Sequence, residues 1–222
     1  MINKTSILLL FLTFLFVNIG NATAQQQHQY VDLGLPSGTL WATCNVGANS
    51  PEECGDYFAW GETTTKSNYD WSTLKYCEDS TGIKFSKYIT RSKYGSVDYK
   101  NVLDRSDDAA TANWGSDWCM PTQAQFQELY DKCNWTLTFT DGKNGFEVQG
   151  PNGNTIFFPA AGERVGTDRN LVGDYGVYWS SSLYASNPLY AWYFCFNIGY
   201  ADADYRDERY HGRSVRPVRC SN

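Results

Sequence analysis

Trp118-Cys119-Met120-Pro121-Thr122-Gln123-Ala124-Gln125-Phe126 carries the clearest structural start signal in the chain. Thr122 is a good helix N-cap, and Gln125 three positions on completes a capping box. Pro121 stands just before the cap, where its missing N–H harms nothing. Phe126, Leu129, Tyr130 and Cys133 then fall at i, i+3, i+4 and i+7, the spacing of one buried helical stripe. Upstream, residues 107–114 (DDAATANW) predict a second, shorter helix with acidic residues in its first turn.

Outside these helices the pattern is β. Tyr30-Val31-Asp32-Leu33 and Leu40-Trp41-Ala42-Thr43-Cys44 read as short strands separated by GLPSG. Asp56-Tyr57-Phe58-Ala59-Trp60 reads as an aromatic strand stopped by Gly61, and residues 62–102 as a long loop region without sustained period. Phe146-Glu147-Val148-Gln149 and Thr155-Ile156-Phe157-Phe158 flank an Asn-Gly turn, which predicts a hairpin. Further strands are expected at residues 177–180, at 189–196 (LYAWYFCF) and at 214–219 (SVRPVR). Pro217 argues that this last strand lies at an edge or a bulge. The expected class is α+β, with two helices, short and mostly antiparallel strands, and long loops.

The chain has 222 residues, 18 basic and 24 acidic, for a net charge of −6. That balance lacks the basic footprint of a nucleic-acid binder. A 16% aromatic and 42% hydrophobic content excludes global disorder. Lys4, the apolar run at residues 7–17 and Ala22-Thr23-Ala24 predict a signal peptide over residues 1–24, cut after Ala24. The run is short for a bilayer span, and no later stretch would serve. Residues 25–29 (QQQHQ) read as a disordered polar leader, and residues 30–222 as a single domain. The protein is then expected to be secreted or on the cell surface, with the periplasm as the alternative. All seven cysteines (44, 54, 77, 119, 133, 195 and 220) fall beyond the signal, where disulfides are allowed, and no C-x-x-C spacing suggests a metal site.

Asp202, Asp204, Asp207 and Glu208 form an acidic cluster that could hold calcium. Arg206 occupies a position where the calcium loop needs a ligand, so the expected state is a solvated acidic loop without a cofactor. His211 is the one histidine outside the leader, and no G-x-S-x-G elbow accompanies it. Trp41, Trp60, Phe157 and Trp192 read as core aromatics.

Residues 118–126 resemble the signature of C-type-lectin-like domains of the formylglycine-generating type. The segments beginning Tyr30-Val31-Asp32-Leu33-Gly34, together with Tyr57-Phe58-Ala59-Trp60-Gly61-Glu62, Phe158-Pro159-Ala160-Ala161-Gly162, Tyr178-Trp179-Ser180-Ser181 and Ser214-Val215-Arg216-Pro217-Val218, are similar to the secreted major paralogous domain (FISUMP) family. The resemblance implies a C-type-lectin-like fold in which first and last strands pair and loops build one binding face. Formylglycine-generating enzymes resemble one another in two copper-binding cysteines five positions apart. Here Cys195 has Tyr200 and Tyr190 at those positions, so no catalytic residue is assigned. Of the sugar-binding signature of calcium-dependent lectins, only Asn187-Pro188 is similar.

Residues 178–219 also resemble the variable region of proteins diversified by retroelements, whose templates turn asparagine codons into a restricted residue set. Tyr193, Cys195, Asn197, Ile198, Tyr200, Asp202, Asp204, Tyr205, Asp207, Tyr210 and His211 belong to that set. Trp192, Phe194, Phe196, Gly199, Arg206, Arg209 and Gly212 between them look like fixed scaffold. The resemblance implies that Cys195 is a drawn variant, leaving six cysteines for three bridges. Strand alternation would turn Trp192, Phe194 and Phe196 inward and Tyr193, Cys195 and Asn197 outward. The expectation is a non-catalytic binding module for a protein or glycan, with its face over residues 184–211. Its candidate contacts are Tyr193, Tyr200, Asp202, Asp204, Tyr205, Asp207, Tyr210 and His211. The alternatives are a structural or fimbrial surface subunit and a formylglycine-generating-type oxidase.

Overall fold

The computed structural model describes residues 28–197 and 199–220. The expected signal peptide and residues 25–27 of the leader lie outside the described residues. The leader's end is not loose: His28 stacks on Trp114 with ring centroids 3.7 Å apart, and the Gln29 carbonyl accepts from the Thr43 N–H.

In chain order the strands are β1 (Tyr30–Asp32), β2 (Leu40–Ala42), β3 (Trp118–Cys119), β4 (Asn134–Thr140), β5 (Lys143–Gln149), β6 (Thr155–Pro159), β7 (Glu163–Val165), β8 (Asp168–Asn170), β9 (Gly176–Leu183), β10 (Tyr190–Asn197), β11 (Tyr200–Glu208), β12 (Gly212–Arg213) and β13 (Val218–Arg219). The helices are α1 (Ala109–Trp114) and α2 (Gln123–Lys132). The strands form four small antiparallel sheets, ordered β1-β2-β13-β3, β11-β10-β9, β12-β7-β8 and β4-β5-β6. The fold is therefore α+β with a large β share. Among the described residues no helix is long and apolar enough to cross a membrane.

α2 starts as its sequence dictates. The Thr122 side chain accepts from the Gln125 N–H, and Gln125 reaches back to the Thr122 N–H. Phe126, Leu129 and Cys133 are buried, but Tyr130 is 39% exposed and lies off the buried stripe. Asp108, one residue later than the expected helix start, caps α1 by accepting from the Thr111 N–H. The GPNGN turn joins β5 to β6 as expected. β4, which no expectation covered, pairs along the other edge of β5.

Three segments differ from expectation. Residues 56–60 form no strand: Phe58 makes one isolated bridge with Arg213, and the Trp60 N–H donates to the Arg209 carbonyl. The C-terminal strand is central, between β2 and β3, because Pro217 stands just before it and only its carbonyl is used, accepting from Ala42. Residues 200–208 are a strand, interrupted by one bulge, rather than an acidic loop. The 62–102 region does lack strands, yet Tyr69, Leu74, Phe85, Tyr88, Ile89 and Tyr94 are all buried, so it is packed rather than solvated.

β9 and β10 are covered on both faces. Tyr178, Phe194 and Phe196 join one apolar cluster with Trp41, Phe126 and Phe158. Trp179, Leu183 and Ala191 join the other, with Trp60, Tyr88 and Trp118. This double cover overturns the simple in-out reading of β10: Cys195 is buried. Trp192, expected inside, is half-buried at the sheet's end against Tyr184 and Arg206. Phe157 is likewise only half-buried, while Trp41 and Trp60 are core as expected. One disulfide, Cys119–Cys220, is present where three bridges were expected. Cys44, Cys54, Cys77, Cys133 and Cys195 are free thiols, three of them (54, 133 and 195) buried.

Candidate functional site

The candidate residues sit on the β10–β11 hairpin and the turn after it. Tyr193 pairs with Tyr205 and Cys195 with Asp202, so Ala203 and Asp204 together oppose Phe194 in a β-bulge. The bulge resets the alternation. Before it, Ala201 and Ala203 turn toward α2, where Ala203 is buried and its carbonyl accepts from Gln123 Nε2. After it, Tyr205 joins Tyr193 and Tyr200 on the other face. Their rings form a ladder, with centroids 5.6 Å apart for Tyr193–Tyr205 and 6.0 Å for Tyr205–Tyr200. Tyr200 is 40% exposed at the open end, and its hydroxyl lies 3.8 Å from Cys195 Sγ. Asp204 is exposed, and its N–H donates to Asp202 Oδ1, which fixes the bulge.

The inner end of the ladder rests on a buried ionic knot that no sequence expectation included. The Arg213 guanidinium lies between the rings of Trp179 and Tyr193, 4.3 and 3.7 Å from their centroids. Its Nη2 donates to Glu163 Oε2 at 2.8 Å and Asp207 Oδ2 at 2.5 Å. His211 Nδ1 stands 3.2 Å from Asp207 Oδ2 and 3.4 Å from Glu163 Oε2. Burial pushes both carboxyls up, but the hydrogen bonds from His211 and the charge of Arg213 hold them below their ordinary values. Burial also disfavours the His211 imidazolium, and its hydrogen bonds to Asp207 and Glu163 outweigh that and raise its pKa. Arg213 and Glu163 come from β12 and β7, paired strands that bring residues 50 positions apart into register. Nothing in the sequence distinguishes Arg213 from a surface arginine.

The structure thus divides the candidates. Tyr193, Tyr200 and Tyr205 form the ladder, with Asp202 and Asp204 at its bulge. Asp207 and His211 belong to the knot. Tyr210 packs edge-on between Trp71, at 4.9 Å, and the knot's His211, at 4.6 Å. Asp202, Asp204, Asp207 and Glu208, expected in a solvated loop, are instead strung along an extended strand. Glu163, Asp207 and His211 do approach within 4.8 Å of one another and could in principle ligate a metal. The residues do not fit one, since Arg213 Nη2 already occupies the point where their ligand atoms converge, and a cation there would face a guanidinium.

Residues 138–220 match a family model described as a domain of unknown function (DUF8237). That stretch runs from within β4 to Cys220 and contains the ladder and the knot whole. No curated protein matches the chain, and no solved structure does.

Proposed function

We propose that this chain is a secreted or surface-exposed, non-catalytic binding module of C-type-lectin-like fold, which recognises a protein or glycan through the face built on β10 and β11. The observation that carries the reading is the Tyr193–Tyr205–Tyr200 ladder across β10 and the edge strand β11, held from below by the Arg213 knot. Tyrosines offer large contact area at low entropy cost, and a rigid backing lowers that cost further. The antiparallel pairing of β2 with β13 supports the fold assignment, because it joins the beginning and end of the domain. The single disulfide suits an oxidising compartment.

The retroelement reading belongs to the same proposal. Arg209 and Gly212, read as scaffold, are buried, while Tyr200 and Asp204, read as drawn, are exposed. Cys195, drawn yet buried, and Gly199 and Arg206, scaffold yet exposed, run against it. Sequencing the gene across a cultured population tests this: variation confined to codons 184–211 supports it, and an invariant segment ends it. Binding is tested on a glycan and surface-protein array. Tyr200→Ala with Tyr205→Ala is expected to weaken any hit at least about tenfold without loss of folding. Equal binding by the double variant would move the site elsewhere.

One observation favours a structural subunit as the second reading. β4 is an edge strand whose Leu137 and Phe139 are 49% and 69% exposed. Such an edge can accept another chain's strand. Sedimentation distinguishes the two: polymers favour the subunit, and a monomer favours the binder.

A further inference from the structure

β7 and β8 form a short hairpin in which Arg164 and Arg169 stand directly opposite each other. Like charges at paired positions destabilise a sheet unless something compensates them. Among the described residues neither guanidinium forms an ion pair. Both instead lie over the ring of Tyr57, with Cζ atoms 5.6 and 5.2 Å from its centroid. Arg169 Nε donates to the Tyr57 hydroxyl at 2.8 Å, and that hydroxyl donates onward to the Ala161 carbonyl. Burial raises the Tyr57 pKa to about 12, so the phenol is neutral and answers neither positive charge. In a chain of net charge −6, this is a local excess of the opposite sign.

The pair lines a cleft of about 490 Å³, between the hairpin and residues 55–57 and 65–69. A third cation there, Lys66, is already neutralised by Glu62 at 2.9 Å. Asp56, whose carboxylate lies over Gly47 at the cleft's edge, and the exposed Thr65 and Ser67 complete the lining. Two guanidiniums against one carboxylate leave one net positive charge. A single carboxylate satisfies that balance, and guanidinium forks match its geometry. A doubly charged group would be repelled by Asp56. The hydroxyls and Asp56 can in turn pair with ligand hydroxyls beside the carboxylate.

We propose that this cleft binds a carboxylate-bearing sugar of the uronate type, its carboxylate held between Arg164 and Arg169 and its hydroxyls turned toward Asp56, Thr65 and Ser67. The site lies outside the β10–β11 ladder, and its existence does not depend on the role given to that face.

The test is calorimetric titration of the full exported chain with sodium galacturonate, galactose and sodium sulfate at low ionic strength, on wild type, Arg164→Gln and Arg164→Lys. Galacturonate is expected to bind saturably and galactose not measurably. Arg164→Gln should weaken binding by roughly ten- to a hundredfold, the range for a hydrogen-bonded charge, and Arg164→Lys by less. Relieving a like-charge pair should leave the thermal midpoint of Arg164→Gln unchanged or higher, which separates lost binding from lost folding. Galacturonate that fails to bind, or that binds Arg164→Gln as well as wild type, overturns the site. Sulfate or galactose binding as tightly as galacturonate overturns its assignment to an acidic sugar.

Discussion

Arg213 is fully buried, and its charge is answered by two carboxylates and flanked by two aromatic faces. Removing one partner of such a group strands the others. Arg213→Met should therefore cost about 3–5 kcal/mol in urea unfolding, far more than a surface arginine would. His211 gives the knot a pH dependence. Its folded-state pKa is raised, so its contribution is complete below the unfolded value of about 6.5 and is lost as pH rises through the folded value. Glu163 and Asp207 are lowered, so their contribution is present above ordinary carboxyl values of about 4 and is lost as pH falls. The knot is thus strongest between those limits. Thermal midpoints should show wild type's margin over His211→Gln shrinking from about pH 6 to about pH 9. A margin constant across that range would mean that His211 carries no charge in the knot. The sequence showed Asp207 and His211 as candidates, but not this role, because Glu163 arrives from a strand 50 residues before Arg213 and nothing local marks Arg213 as buried.

At the scale of elements, legibility followed local chemistry. α2 was readable because Thr122 and Gln125 cap it by contacts within one turn. The β5–β6 hairpin was readable because its turn sequence is self-sufficient. β11 was not, since the inward side of Y-A-D-A-D-Y shows only alanines, small because α2 packs closely there, and the bulge breaks the period. β4 was legible but absent from the expected strands: N-W-T-L-T-F-T alternates cleanly and ends on Asp141-Gly142, with φ of 44° and 79°. The close packing behind the hairpin can be probed at Gly176 in β9. A Cβ there would lie 2.0 Å from Phe196 Cζ, and that ring is also in contact with Trp135, Phe146 and Tyr178. Gly176→Ala should cost about 1–3 kcal/mol by overpacking and, if the ring shifts β10, should weaken ligand binding at the ladder as well. Chemical denaturation and the array signal read the two effects separately.

Across the whole molecule, the ends are held by one sheet and one covalent bond. β13 lies between β2 and β3, and Cys220 just beyond it bridges to Cys119 in β3 across 101 positions. The α+β class was visible from helix and strand patterns, but seven cysteines in one chain left the pairing open, and spacing alone could not favour this pair. Thiol titration of the unfolded, unreduced protein checks the bridge directly. Five reactive thiols per chain agree with it, whereas one would restore the three-bridge scheme. The closed loop contains α2 and every strand from β4 to β13, so the bond constrains nearly all of the ladder, the knot and the Arg164–Arg169 cleft in the unfolded chain. Cys119→Ser with Cys220→Ser should cost about 2–5 kcal/mol, with the chain-entropy estimate for such a long loop near the upper end. The loss should be global, because β13 is the strand that joins β2 to β3. Far-ultraviolet circular dichroism and tryptophan fluorescence should then report one shifted transition at the same midpoint. Two separated midpoints would instead mean that the terminal sheet unfolds independently of the sheets that carry the sites.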